Sequence, residues 1–130
     1  MLDIPYSWMY GKGKMSKSTS AKTNPNFLNG VPELLVLRLL ARRAMYGYEI
    51  VKEIQLQTKD ALSFGEGCIY PYLHYLEAEK FVRSARREVE GRSRNYYELT
   101  SRGKKRLDAL SREWDRVNVA VAAVMGGQHA

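Results

Sequence analysis

Cysteine occurs once in these 130 residues, at Cys68, and histidine only twice, at His74 and His129. One thiol excludes an intrachain disulfide and fits a reducing compartment. So few thiols and imidazoles, set so far apart, also exclude a zinc site of the usual Cys/His spacing. No apolar run approaches the ~18 residues that span a bilayer. Residues 1–10 show neither the leading charge nor the sustained apolar stretch of a signal peptide, so a cytoplasmic protein without a membrane partner is expected. No phosphate-cradling glycine loop and no serine–histidine–acid set is present, which argues against an enzyme and leaves no cofactor to expect. Acidic residues are the scarcer charge, 14 against 21 Lys and Arg, for a formal net charge of +7. That imbalance points to a polyanionic partner without requiring one. Length allows one modest core but not two.

Residues 1–28 read as a flexible basic extension. Gly11, Gly13, Pro25 and a Ser/Thr/Lys/Asn mixture break any periodicity, and Lys12, Lys14, Lys17 and Lys22 against Asp3 leave it at +3. It is either a solvated leader or an arm that touches nucleic-acid phosphates. Tyr6, Trp8, Met9 and Tyr10 are unusual for a disordered segment and suit packing on the body or on a partner chain. Met15 is a second candidate start.

The pattern predicts four helices and a hairpin. The first helix runs from about Pro32 to Arg43, apolar nearly all round, and so belongs in the centre of the domain or under a second subunit. The second spans about Gly47 to Thr58. Ile50, Val51 and Ile54 face inward there, and Glu49, Lys52, Glu53 and Gln57 face water. A turn follows, with Ser63 as candidate N-cap for a third helix from about Gly67 to Glu79. Its Ile69, Leu73 and Leu76 point into the core. Gly67, Pro71, His74 and Ala78 lie opposite, with Pro71 placed in the first turn. Val82–Val89 and Ser93–Leu99 read as strands joined at Glu90-Gly91, any first strand being vestigial. Five arginines and two glutamates lie between Arg83 and Arg94.

The last helix is expected from near Thr100 to Met125, stopped by Gly126. Leu107, Leu110, Trp114, Val117, Val121 and Val124 recur at alternating steps of three and four, a heptad seam. No long partner helix is left in the chain, so the seam reads as a homodimer contact, helped by the first helix.

A compact helix followed by a basic ribbon is what a winged helix uses on DNA, the helix in a major groove and the ribbon along the backbone. The fold class expected is therefore mainly α with a small β wing, a winged helix-turn-helix with a long C-terminal dimerisation helix. Residues 29–100 form the DNA-binding domain and 101–126 the dimerisation helix. Candidate contacts to double-stranded DNA are Ser63, Gly67, Cys68, Tyr70, Pro71, His74, Arg83, Arg92 and Arg94. Arg92 and Arg94 flank the turn and suit a phosphate or a minor groove, or are simply solvated. Arg83, Arg86 and Arg87 cannot all face DNA. Tyr70 is open to two readings, a hydroxyl on a phosphate or a ring in the core. His74 is either a base or phosphate contact or an ordinary surface histidine. Cys68 is either a small structural residue or a thiol activated at a helix N-terminus. Glu66, Glu77 and Glu79 work against binding near the proposed surface.

From Leu34 to about Met125 the chain resembles the PadR family of winged-helix regulators. Tyr46-Gly47-Tyr48-Glu49-Ile50 is similar to that family's second-helix opening. Gly67-Cys68-Ile69-Tyr70-Pro71-Tyr72-Leu73 with Leu76-Glu77 is similar to its recognition helix. Gly91-Arg92 and Tyr96-Tyr97-Glu98-Leu99-Thr100 with Gly103 are similar to its wing and exit. The resemblance implies a homodimer on a pseudo-palindromic operator, usually a repressor. Cys68 stands where the family often has Thr, Lys80 where a glycine is common, and the N-terminal extension is longer than usual. The extension and the recognition-helix motif also resemble a circadian-clock branch of the family, which implies a clock gene as target. In some small members a tryptophan at the place of Trp114 lines a drug-binding pore, which implies a small aromatic ligand; a seam tryptophan filling a dimer core is the other reading. A winged-helix protein-interaction adaptor is the remaining alternative.

Overall fold

The computed structural model describes residues 28–126. The aromatic cluster at Tyr6–Tyr10, the lysines of the extension, Met15 and His129 lie outside the described residues. The elements run α1 (Val31–Arg42), β1 (Met45–Tyr46), α2 (Gly47–Gln57), α3 (Glu66–Ala78), β2 (Val82–Val89), β3 (Arg92–Leu99) and α4 (Ser101–Met125). The strands form one antiparallel sheet in the order β1-β3-β2.

Helix α1 buries Pro32, Glu33, Val36, Leu37, Leu39 and Leu40, while Leu34 and Leu35 pack half-buried on the same core. Its central place follows from that composition. Ile50, Val51 and Ile54 of α2 and Ile69, Leu73 and Leu76 of α3 close over it, with Val82 and Tyr97 from the sheet. Each fully buried aliphatic side chain contributes about 1.5–3 kcal/mol. Expected to face water, Glu49 is instead half-buried: it accepts from Arg43 at 2.7 Å and from the Tyr46 backbone N–H at 3.3 Å, and so caps α2. Glu53 is half-buried too, and accepts from Gln57 at 2.7 Å.

Both α2 and α3 end in the same way. Lys59 (φ 52) and Lys80 (φ 66) adopt left-handed backbone just past the helices. The N–H groups of Asp60 and Phe81 then reach back to Gln55 and Leu76 carbonyls at 2.8 and 2.9 Å. This is a Schellman closure, usually built on glycine. At the hairpin, Val89 pairs with Arg92 across Glu90 (φ 53) and Gly91 (φ 78), a type I′ turn whose twist matches the strands.

Three further expectations are corrected. Ser63 does not cap α3. Gly65 is the N-cap, without a side-chain bond, and Ser63 Oγ accepts from Gln55 Nε2 at 3.0 Å. Helix α3 begins at Glu66, so Pro71 is past the first turn and the Gly67 carbonyl loses its helical donor. Leu107 does not belong to an intersubunit seam, because it is 4% exposed in this chain's own core. Seam spacing shows which residues share a face, not whose chain covers them.

The start of α4 is fastened to the end of α3. Thr100 Oγ1 caps α4 by accepting from the Gly103 N–H at 3.0 Å, and it donates to the Lys80 carbonyl at 2.7 Å. The Thr100 N–H bonds the Phe81 carbonyl at 3.0 Å. A Cβ at Gly103 would overlap that same carbonyl oxygen, so only glycine permits the approach. Arg102 and Arg106 stand over the Phe81 ring, 4.8 and 5.4 Å from its centroid. Arg106 also grips Glu33 of α1 through two bonds of 2.7 and 3.1 Å. Glu33 is 2% exposed, and it is the one buried charged residue of the described part. Beyond Ser111 every described residue of α4 is exposed, including Trp114, Val117, Val119, Val121, Val124 and Met125.

Candidate nucleic-acid interface

The exposed face of α3 is small. Gly67 and His74 are exposed and Pro71 is half-exposed, and nothing lies within 4 Å of a Cβ built on Gly65 or Gly67. A groove floor can approach such a face closely, with His74 the one long polar side chain at its middle. Tyr70 flanks this face, and its ring lies against Gly47 at the start of α2, where any Cβ would collide with it. That contact sets how α2 and α3 meet. Burial, and then Glu66 nearby, raise the Tyr70 hydroxyl above its ordinary range, so it remains a neutral donor.

Cys68 is corrected from a DNA contact to a core residue. It is 3% exposed, and burial pushes its thiol up to about 12. This removes the activated-thiol reading, since the nucleophile is the thiolate.

The wing sorts its arginines by strand alternation. Arg83, Arg87, Arg92 and Arg94 share one face with Tyr96 and Glu98. Arg86 and Asn95 share the other with Ser84 and the buried Tyr97. Ser84 Oγ donates to Glu77 of α3 at 2.7 Å, so the Arg86 face is the one turned to α3. Arg83 is tied to Glu98 at 2.7 Å. Arg94 stands 4.1 Å over the Tyr46 ring and Arg87 4.8 Å over Tyr96, while the two tyrosines meet edge to face at 5.4 Å. Among the described residues Arg86 and Arg92 hold no ion pair or ring contact. The structure thus brings Gly67, Pro71, His74 and the wing arginines to the surface and leaves Ser63 in the turn before α3. Tyr46, Gly47 and Tyr96 were not foreseen. The signal was the Tyr46-Gly47-Tyr48 triplet, but Tyr46 meets its ring partner only through the two-residue strand β1.

Of the acidic residues that oppose binding, Glu77 is occupied by Ser84 and Glu79 lies 3.8 Å from Arg102. Glu66 is exposed at the first position of α3, where it favours the positive helix end. Among the described residues no cluster of His, Cys, Asp and Glu could hold a metal ion, and no helix is long and apolar enough to cross a membrane.

Three helices carrying a small sheet, with a basic hairpin beside an exposed third helix, define a winged helix-turn-helix DNA-binding protein. Residues 36–109 match the model of the transcriptional regulator PadR-like family, and the chain belongs to that family. An uncharacterized protein of Lysinibacillus sphaericus is 31% identical over 103 residues, 78% of this chain and 94% of its own length. A transcriptional regulator of Mycobacterium tuberculosis is 28% identical over 102 residues, 78% of this chain and 90% of its own. The crystal structure of a PadR-like transcriptional regulator from Bacillus cereus superposes with a TM-score of 0.70 at 27% identity, over 79% of this chain and 99% of that one.

Proposed function

We propose that this regulator is a sequence-specific repressor in the cytoplasm, acting as a homodimer on a pseudo-palindromic operator. Residues 29–100 carry DNA binding, and 101–126 carry dimerisation with their first turns seated in the body. The observation that supports it best is a conflict inside the wing. Arg87 and Arg94 lie directly opposite each other across the strands. Like charges in that position are destabilising. Tyrosine rings hold both guanidinium groups, yet neither supplies a negative charge. A phosphate backbone does, and Arg86 and Arg92 extend the basic surface on both faces. His74 then reads a base edge while Gly67 and Pro71 allow close approach. Two-fold symmetry sets the two α3 helices about 34–36 Å apart, in successive major grooves.

Selection of genomic fragments by the purified protein at physiological salt tests this. Enrichment of one inverted repeat supports a dimeric operator-binding regulator and names its target, a clock gene among the candidates. Replacing Arg86 and Arg92 by alanine is expected to weaken binding and flatten its dependence on salt by about two phosphate contacts. An unchanged slope removes both residues from the interface. Absence of any retained DNA turns the choice to the adaptor reading.

A second reading rests on Trp114, half-exposed on the seam of α4. In a dimer its ring is placed to stack on a small aromatic ligand that controls DNA affinity. Fluorescence quenching by planar compounds, lost in Trp114→Ala, is the check.

A further inference from the structure

The distal part of α4 is apolar on more sides than a two-helix seam can cover. From Val117 to Met125 it carries no charged residue. At 3.6 residues per turn, Trp114, Val117, Val121 and Val124 line one side, while Val119 and Ala123 fall on the other, in a row headed by Arg112 and Arg116. Val119 is 70% exposed. A second copy on the seam, as proposed above, leaves Val119 and Ala123 of this back row facing water.

The same chain contains a segment of matching chemistry that the proposed function does not use. Residues 2–10 hold Leu2, Ile4, Tyr6, Trp8, Met9 and Tyr10, with Asp3 as the sole charge. They are joined to the body by residues 11–27, poor in large apolar side chains and basic. Tyr10 lies 18 residues before Leu28, which allows a reach of about 60 Å. Helix α4, at 25 residues, is only about 37 Å long. A tethered segment within reach of its site acts at high effective concentration.

We propose that residues 2–10 dock on the back row of α4 in their own chain, with apolar side chains on Val119 and Ala123 and ring faces under Arg112 and Arg116. The choice of row rests on the dimer reading, since the seam is reserved for the second copy. Docking makes the N-terminal extension a structural part of the dimerisation helix.

The test uses the full chain with Trp114→Phe, which leaves Trp8 as the one tryptophan. The expected result is blue-shifted Trp8 emission, shielded from acrylamide, that becomes solvent-like when Val119→Lys is added. Val119 lies outside the core and lysine suits a helix, so the added change leaves folding intact, as circular dichroism checks. Solvent-like emission before that change overturns the proposal. So does emission that stays blue after it, because Trp8 then packs elsewhere. Reddening by Val121→Lys instead of Val119→Lys also overturns it, by putting the segment on the seam. Sedimentation of the unsubstituted protein judges the dimer separately, since a monomer with Trp8 reddened by Val119→Lys refutes the dimer and keeps the docking.

Discussion

Helix α4 is two structures in one. Its first ten residues are held by a cap on Thr100, a glycine against a backbone carbonyl, a buried Leu107 and a carboxylate clamp from α1. Beyond Ser111 nothing from the described part of the chain covers it. Yet the apolar spacing is continuous across both halves. The near half is folded by its own chain, and the far half is a surface waiting for cover. A periodic stripe therefore specifies that a face must be buried, and only the rest of the fold decides by what.

The difference can be broken from the near side first. Arg106→Ala leaves Glu33 buried with no partner, which is expected to cost about 3 kcal/mol. Urea unfolding measures it, and a cost below about 1 kcal/mol would mean that the clamp does not hold α4 to α1. Next comes alkaline pH, which acts through groups packed in the body. Burial pushes the Cys68 thiol from 9.0 up to about 12. Below pH 9 both folded and unfolded chains keep the proton. Above it the unfolded chain releases a proton that the folded chain retains, so stability falls as pH rises towards 12. Tyr70 and Tyr97, both raised by burial, add to the fall above their ordinary value of 10.0. Cys68→Ala should remove only the thiol's share of that slope in pH-dependent denaturation.

A smaller change sharpens the near side. Lys80→Gly relieves left-handed backbone at the end of α3 and is expected to raise stability by about 0.5–1 kcal/mol, read as an upward shift in melting temperature. The smallest effect on the fold belongs to the far half. Val117→Lys should leave the unfolding free energy of a dilute protomer within about 0.5 kcal/mol while abolishing the concentration dependence of melting. An unaltered sedimentation profile would take Val117 out of the seam.

The helices, the wing strands and the Glu90-Gly91 turn were legible in the sequence because each depends on local periodicity or turn chemistry. What was not legible depends on distant partners. Cys68 lies at the edge of the α3 wheel, where spacing leaves burial undecided and tertiary packing settles it. Pro71 was misplaced because even a helix starting at Gly67 makes it the fifth residue, where an N–H would already bond the Gly67 carbonyl. The stacking of Arg94 on Tyr46 joins residues far apart in sequence through a strand too short to show alternation. The wing arginines could be sorted only once the hairpin register assigned each to a face.

The junction at Phe81 carries one more consequence. The Phe81 N–H bonds the Leu76 carbonyl in the last turn of α3, its own carbonyl accepts from Thr100 at the start of α4, and two arginines of α4 stand over its ring. No flexible linker separates the end of α3 from the start of α4. In the proposed dimer, α4 is thus a ruler: the angle at which two copies cross fixes the gap between their reading heads. A molecule that widened that crossing would change the operator spacing the protein accepts without touching a single DNA contact.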